Sequence, residues 1–296
     1  MNLKLFIEGA RPKTLPASIG PVIVGLGLTF LYGPISIARA ALAAVVALGL
    51  QIGTNFANDY SDGVRGTDNQ RSGPRRLVGS GLVAAPIVRR AALGSFAVAA
   101  LAGLVLVLLS SWWLIFIGAA SLLAGWYYTG GKRPYGYYGF GELFVFIFFG
   151  LVETLGTVYV QDLKVTVTDL LCAISIGLMV TSILVANNLR DIPSDRESGK
   201  KTLAVRIGDQ GTRVLYVSIL VGSAVVLLPL VVAHPIFVVG LLWVPLLLRP
   251  IRLVRSGAVG RELIPAIASS GRVVFLASLV VAIGLVLEVV VNGHLH

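Results

Sequence analysis

A short segment near the first quarter of the chain combines asparagine and aspartate at helical spacing. It reads NFANDYSDGVRGTD and runs from Asn55 to Asp68. If an apolar helix continues into this segment, side chains four residues apart lie on the same face. Asn58 and Asp62 then share one face, and Asn55 and Asp59 share a neighbouring one.

A second segment repeats the pattern more than a hundred residues later. It reads NNLRDIPSDRE, and its Asn187, Asp191 and Asp195 follow one another at intervals of four. These three side chains form a single stripe on a helix. Pro193 predicts a kink or an end of the helix at this point, because proline lacks the backbone N–H and its ring crowds the preceding turn.

Two such stripes can together bind a metal ion that carries a phosphate ligand. Mg²⁺ prefers carboxylate oxygens and commonly keeps substrate phosphates among its other ligands. The arginines between the acids can neutralise the remaining phosphate charge. The alternative is that both clusters are solvated loop charges that offset neighbouring bases. Two matched stripes, each following a long apolar run, favour a paired diphosphate–metal site instead of solvated loop charges. The apolar helices next to this site would hold a long hydrocarbon tail.

The composition determines which elements position these stripes. The chain has 296 residues, of which 56% are hydrophobic and 13% charged, and its mean hydropathy is +0.88. An ordinary globular chain has about 25% charged residues, so the soluble and disordered classes are excluded. Cys172 is the only cysteine, which excludes an intramolecular disulfide and a thiolate metal cage. The net charge of +10 is read as basic loops beside a membrane, with no nucleic-acid partner.

The predicted fold is therefore all-α, with nine transmembrane helices around an apolar cavity that opens to a cytoplasmic-side active site. A span needs about 20 apolar residues. No cleavable signal peptide is expected, and residues 1–296 are taken as one domain. Pro235 and Pro245 predict an irregular eighth span. The nine spans lie near 16–34, 38–57, 91–109, 111–129, 140–160, 169–188, 213–232, 235–249 and 271–291.

The basic residues predict the orientation of these spans. With the spans above, 22 of the 24 lysines and arginines fall on one side of the membrane, and only Arg39 and Lys164 fall on the other. Cytoplasmic loops of membrane proteins are enriched in these residues. We therefore expect a multi-pass protein of the cell membrane, with the N-terminus in the cytoplasm and the C-terminus outside.

The chain resembles the UbiA superfamily of integral-membrane prenyltransferases. That family has nine transmembrane helices and an aspartate-rich motif after the second and the sixth. The first motif commonly reads NDxxDxxxD; here Asn58, Asp59 and Asp62 match, but position 66 is glycine and the third acid is Asp68. This longer spacing is similar to the naphthoate-prenylating branch of menaquinone synthesis. Further similar segments are RPKTLP from Arg11, GTN from Gly53, GS from Gly79, YTGGKRPY from Tyr128, GE from Gly141 and KTLA from Lys201.

The resemblance implies a reaction and a set of residues. A polyprenyl diphosphate binds with Mg²⁺ between the motifs, its C–O bond ionises, and 1,4-dihydroxy-2-naphthoate captures the allylic cation and loses CO₂. The resemblance implies that Asp62, Asp191 and Asp195 are catalytic residues and metal ligands. It implies as further metal ligands Asn58, Asp59, Asp68 and Asn187. The candidate diphosphate contacts are Arg65, Lys132, Arg190 and Lys201, and the candidate acceptor pocket comprises Tyr128, Arg133 and Tyr135.

Several alternatives stay open at this level. The acceptor could be 4-hydroxybenzoate, or a haem or chlorophyll precursor. A secondary transporter would place its coupling acids near the middle of the membrane, whereas the acids of the two segments cluster at one membrane face. Glu153 is the exception, because it lies midway along the fifth predicted span, where a charge by default marks a site; it could instead be protonated or paired within the bundle. The tyrosines from 127 to 138 could be an interfacial aromatic belt.

Overall fold

The computed structural model describes residues 3–67 and 76–293, and the regular secondary structure in this part of the chain is helical. A short amphipathic helix comes first, and nine apolar helices follow it. In chain order they are α1 (Leu3–Ala10), α2 (Pro16–Tyr32), α3 (Ile37–Arg65), α4 (Ala85–Leu109), α5 (Leu114–Tyr127), α6 (Gly141–Asp162), α7 (Val167–Glu197), α8 (Leu203–Ala233), α9 (Pro235–Arg255) and α10 (Gly260–Asn292).

Seven of these helices (α3, α4 and α6 to α10) are long and apolar enough to cross a membrane by length and composition. The other two apolar helices, α2 and α5, have 17 and 14 residues. Each of the nine predicted spans falls on one of the helices α2 to α10. The predicted all-helical class is confirmed.

The two motif helices are longer than predicted from hydrophobicity alone. Helix α3 continues to Arg65 and ends where Gly66 adopts a left-handed conformation with φ 73°. Glycine adopts this conformation without the Cβ clash of other residues, and it commonly ends helices in this way. Position 66 therefore has a backbone conformation that glycine adopts at lower cost than the aspartate of the family motif would.

Helix α7 does not end at Pro193 but continues to Glu197. Its N-terminus is fixed by a capping box, in which Thr166 and Asp169 exchange side-chain and backbone hydrogen bonds. Pro193 lies on the exposed side of the helix. The segment that follows the helix stabilises its last turn, because the backbone N–H of Lys200 donates a hydrogen bond to the carbonyl oxygen of Asp195 at 2.8 Å. This contact explains why the turn persists beyond the proline.

Helices α6 and α7 approach each other closely at a pair of glycines. Gly150 and Gly177 bring the two backbones into direct contact, because a Cβ on Gly150 would lie only 2.4 Å from the Cα of Gly177. Small residues permit such approach between membrane helices. Next to this contact, α6 contains a π-helical stretch over Phe146–Val152. The tight crossing fixes the face of α6 that is turned to the interior of the bundle.

Candidate active site

A large cavity of about 890 Å³ is lined by most of the predicted site residues. Helix α3 lines it from Ala43 to Asp62 in helical repeat, which at 1.5 Å per residue is a length of roughly 28 Å. That is close to the ~30 Å thickness of a hydrocarbon core. We call the two regions the polar end (Asn58, Asp62, Asn187, Arg190, Asp191, Asp195 and Lys200) and the apolar end (Ala43, Val46, Leu106, Leu114, Gly118, Gly156 and Val160).

Asp62 is held at both of its carboxylate oxygens at the polar end. One carboxylate oxygen, Oδ1, accepts a hydrogen bond from the hydroxyl of Tyr137 at 2.5 Å, and the other lies 3.1 Å from the Nζ of Lys200. The Asp62 side chain is buried. Burial and the Asp62 charge raise the pKa of Tyr137, so its hydroxyl keeps the proton that it donates. On the same face, Oδ1 of Asn58 accepts from the Thr129 hydroxyl at 2.8 Å.

Side chains on the neighbouring face of α3 form hydrogen bonds with backbone groups of other segments. The two carboxylate oxygens of Asp59 accept hydrogen bonds from the backbone N–H groups of Leu77 and Val78, at 2.8 and 2.9 Å. Asn55 donates to the carbonyl oxygen of Ala10 at 3.0 Å. Asp59 therefore anchors the chain after the first motif, and its metal role stays a prediction. The third acid of the motif, at position 68, lies outside the described residues.

The second motif also faces the cavity. Arg190 and Asp191 form a two-pronged ion pair with both N–O distances at 2.7 Å, and each side chain is 3% exposed. Asp195 accepts from the Thr202 hydroxyl at 3.4 Å. Asn187 lines the cavity beside them. The structure thus brings both predicted stripes to one end of one cavity.

The predicted basic residues divide into two groups. Arg190 lines the cavity, whereas Lys132, Arg133 and Lys201 are exposed. Arg65 donates to the carbonyl oxygens of Thr129 and Gly131, so it secures the loop after α5. Three cations that line the cavity are not among the predicted site residues, namely Lys200, Arg11 and Arg76. Lys200 stands beside the predicted Lys201, and no spacing rule distinguishes adjacent loop residues.

An aromatic wall adjoins the polar end. The rings of Tyr135 and Phe144 stack with centroids 4.0 Å apart, and Phe148 continues the row at 5.9 Å. Tyr128 meets Tyr135 edge-on at 5.6 Å. All four line the cavity, so the predicted Tyr128 and Tyr135 lie together as expected. Tyr127, by contrast, is exposed, as an interfacial residue would be.

The donor set determines which metal arrangement fits. Within residues 3–67 and 76–293, no three histidine, cysteine or acidic side chains are grouped closely enough to hold an ion by themselves. The acids Asp62 and Asp191 are already matched by Lys200 and Arg190. Mg²⁺ commonly takes only one or two carboxylates and completes its shell with phosphates and water. The residues therefore fit Mg²⁺ that arrives with a diphosphate, rather than an all-protein metal cage.

Glu153 lines the cavity apart from this arrangement. It lines the cavity on α6, midway between Phe144 near the polar end and Val160 at the apolar end. Both of its carboxylate oxygens are buried, and neither has a hydrogen-bond partner in the described part of the chain. The geometry gives Glu153 no part in the polar end.

Comparison with known proteins identifies the relatives of this chain. The model of the UbiA prenyltransferase family matches residues 18–263. A 1,4-dihydroxy-2-naphthoate octaprenyltransferase of Mycobacterium tuberculosis is 51% identical over 94% of this chain and 95% of its own length. The Escherichia coli protein of the same description is 39% identical over 75% and 74%.

Solved structures share the fold at low identity. A UbiA homolog from Aeropyrum pernix superposes with a TM-score of 0.70 at 18% identity, covering 95% of this chain and 98% of that one. A UbiA homolog from Archaeoglobus fulgidus bound to GPP and Mg²⁺ gives 0.68 at 13% identity, covering 93% and 99%. At such identities the likeness shows the arrangement of the helices alone.

Proposed function

The chain belongs to the UbiA prenyltransferase family, and we propose that it transfers a polyprenyl group from polyprenyl diphosphate to 1,4-dihydroxy-2-naphthoate. The reaction releases diphosphate and CO₂ and gives demethylmenaquinol, a precursor of menaquinone. The observation that carries the proposal is the 51% identity to a protein of that activity over nearly the whole chain. The two acid stripes at one end of a long apolar cavity support it independently.

The polar end suits the departure of diphosphate. Negative charge grows on the leaving oxygen as the C–O bond breaks, so positive groups fixed beside it lower the barrier. Lys200 and Arg190 are such groups, each held by a carboxylate. We assign Asp62, Asp191 and Asp195, with Asn58 and Asn187, to holding Mg²⁺, which supplies further positive charge to the diphosphate when bound. Asp59 is assigned to anchoring the loop.

The aromatic wall suits the allylic cation. Tyr135, Phe144 and Phe148 present ring surfaces beside the polar end, and aromatic faces attract cations most strongly where water is excluded. The wall also keeps water from the cation until the acceptor ring attacks. Attack at the carbon bearing the carboxylate allows the ring to regain aromaticity by expelling CO₂, so that step needs no base from the protein.

The acceptor carboxylate requires a positive partner. The sequence predicts Lys132 and Arg133 for this role, and both are exposed. Arg11 and Arg76 add two positive side chains to the cavity wall itself. We propose that the wall arginines serve the anionic groups of the two substrates, and Lys132 and Arg133 remain the alternative for the carboxylate.

The placement in the membrane follows from the same features. The protein is a multi-pass membrane protein, and we propose nine crossings, with α2 and α5 as the two short ones, in a single domain over 1–296. The 22-to-2 division of basic residues supports a cytoplasmic polar end and N-terminus and an outer C-terminus. In intact cells that express the protein without Cys172, we expect an impermeant thiol reagent to label the variant Lys164→Cys and to leave the variant Arg133→Cys unlabelled. The reverse labelling would contradict the orientation.

Product analysis tests the reaction. Purified protein is incubated with Mg²⁺, a prenyl diphosphate and a panel of aromatic acceptors, and the products are identified by mass spectrometry. We expect a prenylated naphthalene product without its carboxyl group, formed together with diphosphate. Prenylated 4-hydroxybenzoate that retains its carboxyl, with nothing formed from the naphthoate, would overturn the acceptor and leave the diphosphate site standing.

A further inference from the structure

Tyr137 joins three segments of the chain at the polar end. It lies in a 3₁₀ turn, Tyr135–Tyr138, between α5 and α6. Its hydroxyl donates to Oδ1 of Asp62 at 2.5 Å, which connects this turn to α3. Its carbonyl oxygen accepts from the backbone N–H of Lys201 at 2.9 Å, which connects it to the segment after α7. One residue, through its hydroxyl and its backbone carbonyl, thus connects both motif regions to the loop between α5 and α6.

The ring of Tyr137 has a separate role from the hydroxyl. The Nζ of Lys200 lies 4.6 Å from the ring centroid and 3.1 Å from Oδ2 of Asp62. The Cζ of Arg65 lies 5.3 Å from the same centroid. A cation over an aromatic face is attracted to it. Both carboxylate oxygens of Asp62 are therefore contacted by Tyr137 or by a lysine that its ring holds.

We propose that Tyr137 is a positioning residue that orients the Asp62 carboxylate for metal binding and holds Lys200 beside it. The inference rests on the proposed Mg²⁺-diphosphate chemistry. A carboxylate offers about four lone-pair positions, so Oδ1 can accept from Tyr137 and contact a cation at the same time. Hydrogen bonds to ligating carboxylates fix their direction, and losing such a partner typically costs about 10- to 100-fold in metal affinity.

The adjacent tyrosine supplies a matched control. Tyr138 is in the same turn but exposed, so Tyr138→Phe removes the same oxygen from a position outside the cavity wall. Tyr137→Phe keeps the ring for Lys200 and removes only the hydroxyl. Tyr137→Leu removes both, and we expect it to weaken the binding of prenyl diphosphate as well, because Lys200 then loses its aromatic support.

Metal binding can be measured without turnover. Mn²⁺ replaces Mg²⁺ as the probe, and free Mn²⁺ is followed by electron paramagnetic resonance in the presence of a geranyl thiolodiphosphate that does not react. We expect Tyr137→Phe to raise the Mn²⁺ dissociation constant about tenfold and Tyr138→Phe to leave it unchanged. The half-activating Mg²⁺ concentration in the prenyl transfer assay should rise by a similar factor, and excess Mg²⁺ should restore most of the turnover.

Each other result has a distinct meaning. Equal Mn²⁺ affinity in Tyr137→Phe and the unmodified protein would overturn the inference. A lowered melting temperature without a change in metal affinity, or loss of the folded protein, would show that Tyr137 serves structure alone and would overturn it too. Absence of Mn²⁺ binding in the unmodified protein with the thiolodiphosphate present would instead contradict the proposed function.

Discussion

The two ends of the cavity are built on opposite principles. At the polar end, the acids are held by named partners at hydrogen-bond distance, as in the pairs Asp62–Lys200 and Asp191–Arg190. At the apolar end, Gly118 and Gly156 face open space, since a Cβ on either would meet no atom within 4 Å. Electrostatic stabilisation depends on exact placement, whereas an apolar wall only has to leave room. We infer that the polar end determines whether the reaction occurs and the apolar end determines which tail fits.

The largest effect is expected from removing one charge at the polar end. Asp62→Asn and Asp191→Asn keep the shape of the side chain, and we expect each to lower kcat by at least about a thousandfold, which corresponds to roughly 4 kcal/mol of lost transition-state stabilisation. The assay is prenyl transfer at saturating Mg²⁺. Asp209→Asn is the control, because Asp209 is exposed and pairs with Arg213 at the surface. Near-normal activity of either variant would contradict the inference that the polar end determines whether the reaction occurs.

A smaller effect should separate two adjacent lysines. Lys200 lines the cavity and contacts Asp62, whereas Lys201 is exposed. We expect Lys200→Met to lower kcat/KM for prenyl diphosphate about a hundredfold, because the leaving group loses a fixed cation. Lys201→Met should change it less than threefold. If Lys201 is the diphosphate contact, as the sequence predicts, the order of the two effects reverses.

The apolar end should respond in substrate length rather than in rate. Gly156→Leu places a branched side chain in the open space of the apolar end. We expect turnover of octaprenyl diphosphate to fall at least tenfold, because the tail no longer fits, and turnover of geranyl diphosphate to change less than threefold. The two rates are compared in one preparation. Gly94→Leu introduces the same side chain at an exposed position of α4 and is the control. An equal loss of octaprenyl diphosphate turnover in this variant would show that filling the cavity is not the cause.

The smallest effect on activity is expected at Glu153, which lines the cavity between its two ends. A buried carboxyl group without partners costs free energy, so Glu153→Leu should raise the melting temperature in detergent, by an amount equivalent to about 1–3 kcal/mol. Geranyl transfer should stay within about threefold of normal. Glu153→Gln keeps the polarity and should give no gain in stability. A loss of geranyl transfer in both variants would show that chemistry extends beyond the polar end.

Much of the fold could be predicted because helix formation and membrane spanning are local properties. Nine apolar runs predicted the positions of nine helices, since about 20 apolar residues in succession suffice for a span. The faces of the motif helices were equally accessible, because four residues make about one helical turn. Asn58 and Asp62 do line the cavity together, and so do Asn187, Asp191 and Asp195.

The class of protein, its helices and the stripes that carry the acids could thus be predicted from local sequence patterns. The partners of each acid depend on tertiary packing: Asp59 contacts the backbone of Leu77 and Val78, while Asp62 contacts Tyr137 and Lys200. Distance along the chain explains this difference. Helical periodicity relates residues a few positions apart, but Asp62 and Lys200 are 138 residues apart, and the packing of three separate segments brings them together.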